Sequence, residues 1–326
     1  MGSRGGIAPA PRSGLADVAV VWVILAVVAL EVLATYTRTP VQELYRVRGG
    51  GIAGGAGRTL AFIGFPVGLA AIAMLPILGD RAGRKVTALA VAAAAALAGA
   101  IAWPGALDEA GLDATPARAL AAVGVALTLG LTLVAVARGD LGAWGREPAD
   151  RARIAVAITL VFIALPWMAA DLGLSLDRVP ALGGLFQTDA LARQPSRPGL
   201  HPAVHDGHHH GMDGVLLALT ALLLSRAITH VRHRRLRGVL AVYLALLFVY
   251  GAANALQDAW LEQIVKRGWT SHALPMMLIP SLSYAWAVIV AVTAALAWAA
   301  HHLANRRWRG RTGRLDHAPD ASGCVE

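Results

Sequence analysis

The chain has 326 residues, 56% of them hydrophobic and 15% charged, with a mean hydropathy of +0.57. A soluble domain carries about 25% charged residues, so an ordinary soluble enzyme is excluded and a lipid bilayer must solvate most of the surface. The net charge of +9 does not gather on one polar segment, which excludes nucleic acid as a partner and makes the basic residues markers of sidedness. A single cysteine, Cys324, leaves no intramolecular disulfide, thiolate metal cage or paired redox motif.

A helix needs about 20 mostly apolar residues to cross the hydrocarbon core. In chain order, stretches of that kind lie near 16–37, 59–79, 85–103, 117–137, 153–172, 213–231, 238–258 and 277–300. The expected fold is therefore all-α: a polytopic integral membrane bundle of about eight transmembrane helices, multi-pass in the cell membrane, with both termini cytoplasmic. Residues 1–15 and 305–326 are expected to be cytoplasmic tails flanking one bundle, 16–304. The first apolar run exceeds the core of a signal peptide, about 7 to 15 residues, and is read as a retained helix. Pro66, Pro76, Pro166 and Pro280 are expected to bend their spans.

Orientation follows from the arginine and lysine bias. With the amino terminus inside, 19 basic residues fall inside and 10 outside, and the connection 173–212 lies on the outer face together with the acidic residues Asp108, Glu109 and Asp113. Trp103, Trp167, Trp260 and Trp269 fall near outer span ends and read as an interfacial belt.

The segment from His201 to Asp213 is the densest in chemistry, because five of the eleven histidines lie within ten residues there. Neutral imidazole is a ligand for zinc, copper and iron, and Asp206 and Asp213 are interleaved with His201, His205, His208, His209 and His210 as further donors. If the stretch is helical, His205, His208, His209 and Met212 share one face, and Asp206, His209, His210 and Asp213 the next. The expectation is a metal centre at the external mouth of the bundle, holding zinc, copper or iron. Met168, Met212, Met276 and Met277 near outer span ends are soft donors that keep copper among the three.

His205-Asp206-Gly207-His208-His209 resembles one H-x-x-H-H box of the membrane di-iron desaturases and hydroxylases. That family spreads its histidines over several boxes on the cytoplasmic side, whereas this chain fuses them into one external loop, so the family is not adopted.

Charged groups inside spans are costly and mark cavities or partners. Glu31 in the first span and Asp171 at the end of the fifth are expected to act as base or ligand, with Arg38 within reach of Glu31 two turns on. Arg38, Arg46, Arg48 and Arg58 are candidates for a substrate head group, and Asn254 and Asp258, one turn apart on the seventh span, for its polar contacts. The function expected is a metal-dependent membrane enzyme acting on a lipid-linked or membrane-soluble substrate at the outer face. A transporter or metal-handling permease, and a structural or assembly subunit, are the alternatives. Few ionisable residues through the depth of the spans count against transport.

Overall fold

The computed structural model describes residues 15–43, 50–102, 116–140, 142, 147–194, 197–207 and 209–315; for residues 61, 116–121, 301 and 303–315 it describes the backbone alone. The described chain is mostly helical. Its long helices are α1 (Ala16–Arg38), α2 (Gly51–Ala82), α3 (Arg84–Ile101), α4 (Pro116–Ala137), α5 (Asp150–Asp171), α6 (His210–Ala227), α7 (Arg234–Trp260) and α8 (Tyr284–Leu315). Among the described residues, six segments are long and apolar enough to cross a membrane: α1, α2, α3, α5, α6 continued to His230, and α7 continued to Val265. The apolar parts of α4 and α8, Ala122–Ala137 and Tyr284–Ala300, are shorter.

Local sequence explains where these helices end. Asp17 in the first turn of α1 and Arg38 in its last complement the helix dipole. Thr39, extended at φ −82° and ψ 134°, then ends the helix ahead of Pro40, as the residue before a proline tends to do. Pro66 and Pro76 lie inside α2 and Pro166 inside α5, as expected. Pro280 does not bend a span: residues 277–283 are irregular and α8 begins only at Tyr284.

The core is built at helical spacing. Val18, Val21 and Leu25 of α1 meet Ala70, Ala73, Met74 and Ile77 of α2, Leu217, Ala221 and Leu224 of α6, and Leu240, Leu244 and Leu247 of α7. α6 and α7 touch backbone to backbone. A Cβ on Gly214 would lie 2.4 Å from the Gly251 carbonyl oxygen, and one on Gly251 would lie 2.5 Å from that of Gly214. One turn on, the fully buried Ala218 and Ala255 continue the contact. This is small-residue packing, which suits helices in lipid, where no hydrophobic force draws helix to helix. Large apolar side chains face outward instead, among them Val23, Val27 and Leu30 on α1 and Ile154, Ile158 and Val161 on α5.

The helices alternate in direction, and their polar ends segregate. At one end Arg226 pairs with Asp17 at 3.1 Å and with Asp150, tying α6 to α1 and α5. Asp80 at the foot of α2 accepts the Arg232 N–H and faces His233 Nδ1, both at 2.7 Å. At the other end the connection from α5 to α6 folds over the bundle. It contains an antiparallel hairpin, β1 (Leu191–Gln194) and β2 (Arg197–Pro202), which an all-helical expectation did not include. Pro198 and Pro202 argue against strand in the sequence, yet a two-stranded ribbon has only edges and tolerates them.

Candidate metal centre

α7 does not stop where its apolar run stops. It continues as a π-helical turn, Leu261–Val265, and such turns re-aim the side chains that follow. Four consequences hold the α5–α6 connection down. The Gln263 side-chain amide clamps the backbone of Gln187, accepting from its N–H at 2.7 Å and donating to its carbonyl at 2.9 Å. Arg267 donates to the Leu185 carbonyl at 2.8 Å, Lys266 Nζ donates to that of Ala203, and Glu262 turns inward. Residues 203–207 thereby descend from the hairpin onto the bundle, with Ala203 and Val204 buried.

There His205, His209 and Glu262 converge, each offering a ligand atom, with these atoms all within 4.8 Å of one another. The two imidazoles stack at 4.6 Å between centroids and 17° between planes, and Trp167 stacks on His209 from the other side at 5.9 Å and 23°. The Trp167 indole N–H donates to Glu262 Oε2 at 2.6 Å, fixing the carboxylate. Gly211 makes room for this indole, since a Cβ there would lie 2.1 Å from Trp167 Cη2.

The hydrogen bonds fix the protons. His209 Nε2 lies 2.6 Å from the His205 carbonyl, which only accepts, so Nε2 carries the hydrogen. Burial, the larger influence, pushes the His209 imidazolium down to about 3, and the ring is neutral at pH 7. His209 Nδ1 therefore presents a lone pair, 3.6 Å from Glu262 Oε1 and 3.9 Å from Asp258 Oδ2. His205 is shifted the same way by burial first and by His209 second, and its Nδ1 lies 3.2 Å from the Asp206 carbonyl, directing Nε2 away from that bond. Ligating histidines are commonly oriented by such carbonyl bonds on the opposite nitrogen. Asp258 in turn accepts the Gly211 N–H at the start of α6 at 2.9 Å, and Lys266 Nζ lies 3.7 Å from Glu262 Oε1.

The other expected site residues lie around this group without joining it. His201 is on β2, its Nε2 at 3.0 Å from the Pro198 carbonyl. Asp206 is half-buried, its carboxyl raised by burial against the opposing pull of Arg38. His210 opens α6 and Asp213 is buried one turn into it; His208 lies outside the described residues, as do Arg46 and Arg48. Residues 201–207 are strand and turn, so the helical faces expected of the cluster do not form and His205 reaches His209 through the turn. Asp171 Oδ1 accepts the N–H of Gly207, whose φ of 109° suits glycine, at 2.9 Å. The buried Glu31 is close enough to interact electrostatically with Asp171. It does not pair with Arg38, which donates to the carbonyls of Asp171 and Leu172, and among the described residues the Glu31 carboxylate has no hydrogen-bond partner. Arg58 is buried and donates to the Gly54 carbonyl at 3.2 Å, and Asn254 donates to that of Tyr250 at 2.9 Å.

Three residues of the centre are not marked by the apolar runs. Glu262 and Lys266 fall beyond the expected end of the seventh span at 258, although Asp258, Glu262 and Lys266 stand four apart and so announce a continuing helix face. Trp167 does not line an interfacial belt: it is only 1% exposed. The thioethers do not join the donors either: Met212 is in the apolar core with Met168 packed against it, and Met276 is exposed.

No protein-family model matches this chain, and no curated protein or solved structure matches it.

Proposed function

We propose that the chain is a multi-pass cell-membrane protein with eight spans and cytoplasmic termini, which binds a transition metal at its extracytoplasmic end and uses it as an enzyme on a lipid-linked or membrane-soluble substrate. His209 carries the reading. Its Nδ1 lone pair faces the Glu262 carboxylate at 3.6 Å, an arrangement of two electron donors that a cation between them stabilises. Asp258 approaches the same His209 nitrogen at 3.9 Å, and Lys266 Nζ lies on the far side of Glu262 at 3.7 Å, so a second carboxyl group stands beside the three donors. Two histidines and one glutamate without thiolate or thioether suit zinc or non-haem iron better than copper, and three protein ligands leave a position for water.

A bound metal would supply a Lewis acid and a water acidified to near neutrality. The chain's own residues do the rest. Trp167 and the His205 carbonyl hold Glu262 and His209 in ligating orientation, Asp171 or Glu31 would take up a proton at the same end of the bundle, and Asn254, Asp258, Arg58 and the remaining N–H groups of Arg38 are candidates for the substrate's polar part.

Metal analysis of detergent-purified protein tests this. One metal ion per chain is expected in the native protein, with loss of most of it in His209→Ala and Glu262→Gln. A metal-free native protein overturns the reading. The second reading, a structural or assembly subunit, is favoured by Lys266, which with Glu262 fastens Ala203 to α7 by a buried ion pair without metal. It is the reading that survives if no metal is found and Lys266→Met loosens residues 203–209 to proteolysis.

A further inference from the structure

Away from the donor group, α7 and α8 leave between them a groove of about 820 Å³, toward the end of the bundle where Asp17, Asp80 and Arg226 gather. Gly238, Val242 and Leu246 of α7 and Val290 of α8 are among its walls, and nothing lies within 4 Å of a Cβ on Gly238, which keeps the space open. Val242 and Val290 are more than half exposed, so the groove faces outward, toward lipid in a chain that spans the bilayer. Its one charged wall residue is Arg235, at the polar end. Arg235 and Leu246 stand about three helical turns apart, or about 16 Å, close to the depth of about 15 Å that one leaflet contributes to the hydrocarbon core. The groove thus has the length of one acyl chain within its leaflet.

Charge indicates the head group. Asp17, Asp80, Glu147 and Asp150 at this end are already paired, with Arg226, His233 and Arg153. Arg235 is exposed and has no carboxylate partner among the described residues. A guanidinium offers parallel N–H donors that match a phosphate group, and one that stands where an apolar groove meets the head-group layer is placed to hold a lipid by both of its ends. We propose that this groove binds one anionic phospholipid, an acyl chain along Gly238, Val242 and Val290 and the phosphate on Arg235. A choline head group would bring its own ammonium beside the guanidinium, so the site prefers a lipid with net negative charge. The proposal requires that α7 and α8 cross the bilayer and stands independently of the metal centre.

The test uses the full chain in detergent micelles, titrated with dioleoylphosphatidylglycerol or dioleoylphosphatidylcholine and read by native mass spectrometry. One phosphatidylglycerol per chain is expected to bind in preference to phosphatidylcholine. Arg235→Gln should weaken phosphatidylglycerol binding about fivefold, the worth of one basic residue at an anionic surface, and abolish the preference. Gly238→Phe, which fills the groove, should weaken binding of both lipids more than about tenfold. Should Gly238→Phe fail to fold, Val242→Trp obstructs the same space. Arg237→Gln removes a charge from the same turn of α7 outside the groove and should leave binding within about twofold. Equal binding of the two lipids by the native chain, or an equal loss in Arg237→Gln and Arg235→Gln, overturns the proposal. So does a native dimer that Gly238→Phe dissociates, since a second copy of the chain would then fill the groove.

Discussion

Burial sets the protonation of His209. In the unfolded chain its imidazole titrates near 6.5, and in the fold burial moves it to about 3. Between these values the unfolded state holds a proton that the folded state does not, so the stabilisation is complete above about pH 6.5 and is lost progressively as pH falls. For chelator-treated protein the thermal midpoint should therefore drop as pH is lowered from 7 to 5, with a slope of up to about 1.4 kcal/mol per pH unit from this residue. The slope should flatten in His209→Gln; an unchanged profile in that variant would assign the pH dependence elsewhere. Trp167 acts one step out, through Glu262. Trp167→Phe retains the stack on His209 and removes only the N–H at 2.6 Å. Loss of a bond that orients a ligand typically weakens metal affinity by about 10- to 100-fold, so competition with a chelator should show that shift while Trp167→Phe remains folded.

At the level of elements, the crossing of α6 and α7 positions the donors, since His209 precedes the first and Glu262 follows the second. Their contact is set by glycine. Gly214→Val places side-chain atoms against the Gly251 backbone and should cost about 1–3 kcal/mol through overpacking. It should also weaken metal binding, because the bond from the Gly211 N–H to Asp258 spans the same interface. Gly238→Ala on α7 is the control: nothing lies within 4 Å of its Cβ, and helix propensity should make it neutral or stabilising by up to about 1 kcal/mol. Equal thermal shifts in the two variants would show that the close contact is not what matters. Apolar length made most helices legible in the sequence, α1 nearly to the residue. It misplaced the ends of α6 and α7, because Gln257, Glu262 and His209 are polar yet buried by pairing across elements. It missed the hairpin for a related reason, since the hold of Gln263 on Gln187 links residues far apart in sequence.

Across the whole molecule, sidedness would decide which compartment supplies the proposed metal. The ends of α1, α5 and α7 and the start of α6 gather around the donor group, while Asp17, Asp80, Asp150 and Arg226 gather at the opposite end. Alternation of helix direction gathers at one end the residues of segments that the sequence reading expects inside, where most of the arginine lies. One loop argues otherwise, since Arg38, Arg46, Arg48 and Arg58 lie on the expected outer side. Arg38 and Arg58 nevertheless bond to backbone carbonyls of the chain, so part of that basic charge is used in holding helices rather than in facing a cytoplasmic leaflet. The outer location proposed for the centre can be tested with single cysteines in a Cys324→Ser background. Leu200→Cys on the exposed hairpin should react with a membrane-impermeant maleimide in intact cells, whereas Thr229→Cys beyond α6 should react only after permeabilisation. The reverse pattern would put the donor group in the cytoplasm and invert every assignment of side. Labelling of both in intact cells would mean that α6 does not cross the membrane, against its reading as a span.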